Sequence, residues 1–392
     1  VATPTRRRTP RPPDRREQIA ATAAELFCAR GYHNVGIGDI AEAVGVTGPA
    51  IYRHFSTKQD VLAAAMLDLA DELAGPVARN AAADGPAGER LDAALAALVD
   101  FSLRRRRAAR LYQWEGRHLA APDRTEVGRR MGTVVRDLRR MLLATRPRLG
   151  RTDATVLVWS VLSVIASPST HRAALARARA QAVLHDCCRA VLAVAELPPP
   201  PAAPSGGPAL DALPRRERLL VEAVRLFNRH GYHAVSMEDI GAAAGINSSS
   251  VYRHFPSKAG VLAAAYYRSV ARLEVLAEDV LTTGDPATAL DRLVTGYVRH
   301  TFAQSEQAAV YVSENENLDP DDRHALRQAQ RRHVDLWVEL ASRARPDDPA
   351  PELRFRVHAA LNIVTDLART RRSCVGPEHA ERVVRQLIVP EN

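Results

Sequence analysis

A chain of 392 residues is long enough for two or more domains, each with a core of its own. Its hydrophobic share of 46% is ordinary for a globular protein, and the dominance of Ala, Leu and Arg favours helix over sheet. Four cysteines without framework spacing (Cys28, Cys187, Cys188 and Cys374) argue against a disulfide scaffold, and a net charge of +9 admits a polyanionic partner without proving one.

The charge is unevenly spread. Residues 1–197 carry 30 Lys+Arg against 20 Asp+Glu, and the remainder 24 against 25. If nucleic acid is the partner, the first half supplies more of the non-specific affinity. The longest apolar run, 156–166, is too short to cross a bilayer, and no secretory signal opens the chain. A cytoplasmic protein with no membrane partner is expected.

In chain order, residues 1–14 form a basic arm rich in Pro and Arg, with Arg6, Arg7 and Arg8 in a row. Such an arm either follows a phosphate backbone or minor groove, or stays a solvated tail. A first helix is expected over about 15–30, with Ile19, Ala23, Leu26 and Phe27 as its apolar stripe. Gly31 ends it in a left-handed conformation, and Tyr32 makes the accompanying apolar contact. Two short helices follow over 37–44 and 48–55. Gly45 supplies positive φ to the turn between them, Thr47 sits where an N-cap belongs, and Pro49 fits a first turn that needs no N–H from it. Further helical patterns lie near 58–79, 88–107, 108–119, 123–145, 151–167 and 173–195. The four arginines of 104–107 read most simply as a solvated helix face.

Residues 197–214 form a linker of prolines followed by Ser-Gly-Gly-Pro, able to span roughly 40–50 Å when extended. Beyond it the chain repeats itself. Residues 15–65 align with 215–265 at a constant offset of 200, with no gap and about half of the pairs identical, which marks an internal duplication. The second copy carries Leu220, Ala223, Phe227, Gly231 and Tyr232 in its first helix and turn, Gly245 in the second turn and Asn247 as the candidate cap. Ser236 with Asp239 suggests a capping pair where the first copy has Gly36 and Asp39. Helical patterns follow near 258–282, 286–304, 306–316, 321–345, 350–371 and 377–388. Arg345-Pro346 matches Arg146-Pro147 with one residue deleted, so the chain duplicated as a whole and its downstream parts diverged. No alternating strand pattern is present, and the fold class is all-α.

Helix, glycine turn, helix is the geometry of a helix-turn-helix, whose second helix enters the major groove. The first copy runs Phe27 to Gly31-Tyr32 and Val35, then Ile40-Ala41 to Gly45-Val46, then Tyr52, His54-Phe55 and Lys58. This run, met twice, resembles the N-terminal head of the TetR/AcrR regulators over about 50 residues of each copy. The resemblance implies two heads, 15–62 and 215–262, each followed by an all-helical regulatory region for ligand binding and dimerisation, 63–196 and 263–392. Ordinary members carry one head and dimerise on a near-palindrome. Two heads in one chain is similar to a minority arrangement among actinobacterial members, some of them linked to lipid or steroid uptake.

By the same resemblance, Tyr52 and Tyr252 match a tyrosine whose hydroxyl contacts phosphate, and His54, His254, Lys58 and Lys258 match positions that touch the DNA backbone. Phe55 and Phe255 read as core. Base contacts are expected from Thr47, Gly48, Ala50 and Arg53 in one head, and from Asn247, Ser248, Ser250 and Arg253 in the other, with Pro49 and Ser249 also counted among the DNA-binding residues. Either arginine can fork onto a guanine or hold a phosphate, and Ala50 suits a thymine methyl where Ser250 would hydrogen-bond. These differences imply two unlike half-sites on a double-stranded DNA operator.

The halves are expected to pack as a single-chain pseudo-dimer, with association of two chains as the alternative. The seam would set 156–166 and 182–194 against 357–367 and 383–387, with the recognition helices about 34–36 Å apart. Tyr112, Trp114, Glu115 and His118 in one half, and Tyr311, Glu314 and Asn315 in the other, either line a cavity for a small apolar effector (a lipid, steroid or acyl-CoA) or form ordinary core. No metal or cofactor is expected: Cys187 and Cys188 are adjacent on a helix and face different ways, and neither a phosphate-cradling glycine loop nor a nucleophile elbow occurs. The expected function is ligand-responsive transcriptional regulation, most simply repression. Its rivals are a sensor or assembly protein with degenerate heads, and an enzyme.

Overall fold

The computed structural model describes residues 14–106, 111, 115–200, 213–369 and 375–390, with the backbone alone at 248 and 249. Among them every regular element is helical. The first half comprises α1 (Arg15–Arg30), α2 (Ile37–Val44), α3 (Gly48–Ile51), α4 (Lys58–Ala82), α5 (Ala87–Arg104), α6 (Ala121–Thr145), α7 (Arg151–Ala166) and α8 (Arg177–Ala193). The second comprises α9 (Arg215–His230), α10 (Met237–Ala243), α11 (Ser248–His254), α12 (Lys258–Leu281), α13 (Pro286–Ala303), α14 (Ser305–Glu314), α15 (Pro320–Ala344), α16 (Ala350–Arg369) and α17 (Pro377–Ile388). Short 3-10 turns at Glu115–His118, Ser167–Ser169 and Asn315–Asn317 join some of them. The offset of 200 holds through the start of α12 and is 199 at the starts of α13, α15 and α16, so the deleted residue lies before α13.

Local chemistry sets the helix starts. Thr57 and Asp60 cap α4 reciprocally, Asp60 N–H donating to Thr57 Oγ1 at 3.1 Å and Thr57 N–H to the Asp60 carboxylate at 2.8 Å. Ser236 and Asp239 form the same pair on α10, as their spacing suggests. The second helices of the two turns differ. Asn247 accepts from Ser250 N–H at 2.9 Å and α11 runs seven residues, whereas Thr47 makes no side-chain cap and α3 runs four, short of the 48–55 expected. Gly48, a poor helix former, opens the shorter one.

Three cores result. Ile19, Phe27, Ile40, Ile51, Phe55 and Leu62 close the first head, and Leu220, Phe227, Ile240, Val251, Phe255 and Leu262 the second. The third runs unbroken through both halves where α7 and α8 pack on α16 and α17. This is the seam expected of a pseudo-dimer. Asn362 Nδ2 donates across it to the buried Ser163 carbonyl at 2.8 Å, the His171 and His358 rings stack at 4.0 Å, and Arg179 pairs with Glu352. Helix α7 corrects the length argument made for 156–166: with its flanks, 151–169, it is long and apolar enough to cross a membrane, but most of it is buried inside the protein. Of the arginines of 104–107, read as a solvated face, Arg104 and Arg105 are exposed and carry surface ion pairs, while Arg106 is half-buried. Arg104 pairs with Asp100, Arg105 with Glu72, and Arg106 donates to the Ala173 carbonyl, while Arg107 lies outside the described residues. Most of the linker lies outside them too.

Ile363 on α16 is fully buried in the shared core. Ile363→Ala should cost about 2–5 kcal/mol and lower the urea midpoint of the whole seam in one transition. An unchanged midpoint would mean that the seam contributes nothing to stability.

Candidate nucleic-acid interface

The turn of each head is built on glycine. Gly45 and Gly245 have φ of 75° and 67°, and Gly45 N–H donates to Glu42 O while Val46 N–H donates to Ala41 O. Gly31 and Gly231 also have positive φ, 78° and 81°, but with ψ near 153° and 155° they leave the left-handed helical well for a region open in practice to glycine alone. The chain therefore turns out of the helix instead of coiling past its end. Tyr32 then packs on Phe27, ring centroids 5.3 Å apart, and Tyr232 does the same on Phe227.

This frame leaves a matched set of side chains outside. Tyr52 is 57% exposed and Tyr252 50%, although Ile51, Phe55, Val251 and Phe255 beside them are buried. Arg53, His54, Arg253 and His254 are exposed as well, as are Thr47, Pro49 and Asn247, with Gly48 and Ala50 half-buried. Phenol hydroxyls, guanidinium groups and imidazoles, offered from α11 in the second head and from the turn that follows α3 in the first, form a face able to donate to phosphate and base edges. Ser250 is placed differently from its expected base contact: it is buried, and its Oγ accepts from Arg253 Nη2 at 2.6 Å. It orients the arginine, a service Ala50 cannot give Arg53. The side chains of Ser248 and Ser249 lie outside the described residues.

The lysine positions carry a role that the sequence reading missed. Lys58 Nζ donates to the carbonyls of Tyr32 and Val35, both at 2.9 Å, and sits 4.2 Å from the centroid of the Tyr32 ring. Lys258 repeats this on Tyr232 and Val235 at 2.7 Å each, with 4.3 Å to the ring. Burial pulls both ammonium groups below the ordinary lysine pKa, against the opposing pull of nearby carboxylates. A phosphate contact would have to use the one N–H that remains on each. The signal was present in the composition: of 54 Lys and Arg residues, only Lys58 and Lys258 are lysine. A chain that uses arginine everywhere else keeps a compact ammonium at these two places, where its donors meet two converging carbonyls close to a ring.

Tyr32 is also the joint between head and body. Its N–H donates to Glu115 at 3.3 Å, and Tyr232 N–H donates to Glu314 at 3.4 Å. Glu314, which is 3% exposed, then pairs across the halves with Arg117 at 2.6 Å. The His118 ring stacks on Tyr32 at 4.9 Å, and His33 meets His118 at 4.6 Å and His233 at 4.8 Å, so the heads touch each other at this point. Burial, then Arg117 and His33, hold His118 down at about 3; burial, then His233, hold His33 at about 4. Of the proposed ligand residues, Glu115, His118 and Glu314 thus stand at this joint. Tyr311 and Asn315 line a cavity of about 380 Å³ in the second half, and Tyr112 and Trp114 lie outside the described residues. Cys187 and Cys188 are fully buried, the former thiol pushed up to about 11 by burial.

The family profile described as "Bacterial regulatory proteins, tetR family" matches residues 19–65 and 219–265, once in each head. The HTH-type transcriptional activator FasR of Mycolicibacterium smegmatis is 36% identical over 88 residues, which cover 22% of this chain and 40% of that protein. The HTH-type transcriptional repressor KstR2 of Rhodococcus jostii is 28% identical over 124 residues, covering 32% and 61%. These matches span two fifths to three fifths of the relatives' own length. The solved structure of the TetR family regulator PfmR from Thermus thermophilus is 24% identical, covering 46% of this chain and all of that one, with a TM-score of 0.40.

Lys58→Met and Lys258→Met should each destabilise their head by about 1–3 kcal/mol, because two converging carbonyls lose a donor. Tyr52→Phe should stay within about 0.5 kcal/mol of the parent, as an exposed hydroxyl holds nothing in the fold. Chemical denaturation of the full chain separates the two. Equal stability of the methionine variants would refute the role given to the lysines.

Proposed function

We propose, from a chain built of two tandem TetR-type modules, that it is a transcriptional regulator whose two heads bind one double-stranded DNA operator. The observation that carries this reading is the duplicated exposed set of Tyr, Arg and His beside a glycine turn, held on two halves that share one core. Tyr52, His54, Tyr252 and His254 contact phosphate. Arg53 and Arg253, with Thr47, Pro49, Ala50 and Asn247 around them, read base edges. Because the first head offers Thr47 and Ala50 where the second offers Asn247 and a serine-anchored arginine, the operator is asymmetric. One chain serves one operator, in the cytoplasm.

The regulator is a repressor released by a small molecule. Helix α14 connects the two events: Tyr311 stands on the cavity wall, and Glu314, one turn on, holds Tyr232 of the second head and Arg117 of the first half. A ligand that shifts α14 disturbs both contacts, so occupancy and head position are linked.

Selection of bound sequences from random DNA should enrich two unlike half-sites at a fixed spacing. Arg53→Ala should relax preference within one half-site and Arg253→Ala within the other, each by about 1–3 kcal/mol. A perfect palindrome would contradict the asymmetric reading, and no enrichment would contradict specific DNA binding altogether.

A further inference from the structure

The two halves share a helix plan but not an interior. The 380 Å³ cavity of the second half lies among α12, α13, α14, α15 and α16, with Ser169 and Thr170 of the first half at its edge. Five of its wall residues are Tyr266, Ser269, Tyr297, His300 and His333. With the offset of 200 on α12 and 199 beyond, their counterparts in the first half are Met66, Leu69, Leu98, Phe101 and Val134. None of those five is more than 7% exposed, so the same positions are closed by packed hydrocarbon. Rings and hydrogen-bonding groups in one half stand where aliphatic chains and a phenyl ring stand in the other.

The wall of the cavity also has a definite chemistry. Its charged residues are Glu274 and Arg332, which lie 3.7 Å apart, pair with each other and are more than half exposed. Burial disfavours the charged form of the imidazoles, holding His333 at about 4 and lowering His300. An anionic headgroup inside would be stripped of water without a counter-charge to receive it. Polar groups, by contrast, are supplied. Trp337 Nε1 donates to His333 Nε2 at 2.9 Å, which leaves the ring proton on Nδ1 as a donor, and His300 Nε2 lies 3.0 Å from Ser269 Oγ. Tyr297 leans on His333 and meets Trp337 edge-on, both at 5.5 Å, and Tyr266 meets Tyr311 edge-on at 4.8 Å. Ring faces and edges of this kind favour a flat ring system over a flexible chain.

We propose that each chain takes a single effector, in the second half, and that this effector is a neutral, ring-containing molecule with a few hydroxyl or carbonyl groups, rather than a fatty acid or its coenzyme A thioester. The inference rests on the regulator reading for its purpose, but its chemistry stands on the cavity alone. One ligand then governs two heads.

Equilibrium dialysis of the full chain, without DNA, tests it with four probes: 1,8-dihydroxyanthraquinone and estradiol as neutral rings, palmitate and palmitoyl-coenzyme A as anions. At least one ring probe should bind at one per chain, more tightly than either anion. His300→Phe, which copies Phe101, and Ser269→Leu, which copies Leu69, should each weaken that binding by about tenfold or more. Circular dichroism melts show that the variants fold, and two variants guard against the failure of one. Two ring molecules per chain, tighter binding of an anion, no binding of either ring probe, or unchanged binding in both folded variants would each overturn the proposal. Since none of these readouts involves DNA, a chain that bound a ring probe but no operator would sink the regulator reading and leave this one standing.

Discussion

One ammonium group in each head fixes the geometry on which the rest depends. Where α1 ends at Gly31, the chain leaves the helix abruptly, and the carbonyls of Tyr32 and Val35 converge at a place where the backbone offers the Tyr32 carbonyl a long bond from Val35 N–H at 3.4 Å. Lys58 fills that place, with its charge under the Tyr32 ring. A carbonyl left without a donor in such a site costs about 1–3 kcal/mol, more than an exposed ion pair is worth. Because the loop between α1 and α2 is held this way, the glycine turn and the short helix after it keep one orientation. The same tyrosine passes its N–H to the body through Glu115. Head, loop and body therefore share a single residue, and Lys258, Tyr232 and Glu314 repeat the arrangement.

Duplication supplied the symmetry, and divergence broke it where the halves meet. Arg117 reaches Glu314 across the pseudo-twofold axis. The symmetry-related pair would be Glu316 with Glu115, two carboxylates that repel each other. Glu316 is instead held by Arg323 and Arg327 of its own half. The tie between halves is thus one-sided, and it is attached to α14, the helix that lines the open cavity. A chain with two different halves can arrange this; a symmetric pair of identical subunits would carry the same contact on both sides or on neither.

Much of this was legible in the sequence, for physical reasons that differ by element. Glycine at 45 and 245 announces positive φ because no other residue takes it cheaply, and α1, α2 and the repeat could be read from periodicity and the offset. The seam could be placed from long apolar helices that a single module would leave uncovered. The roles of Glu115, Glu314 and Ser250 could not, since their partners lie far away in sequence or depend on a rotamer: Glu115 is 83 residues from Tyr32, and Ser250 turns inward to Arg253. A buried carboxylate and a cavity-lining one look the same in a sequence. The second role of Lys58 was hidden for a related reason, because a basic residue beside a recognition helix suggests phosphate, and the two carbonyls it also holds are 23 and 26 residues away.

The central claim is that one chain does what two subunits do elsewhere. Native mass spectrometry of the protein on its selected operator duplex, at nanomolar concentration, tests that claim most directly. The account predicts one 42.8 kDa chain per duplex, with the same single-chain mass in the absence of DNA. Two chains per duplex, with no single-chain complex at any ratio of protein to DNA, would contradict it.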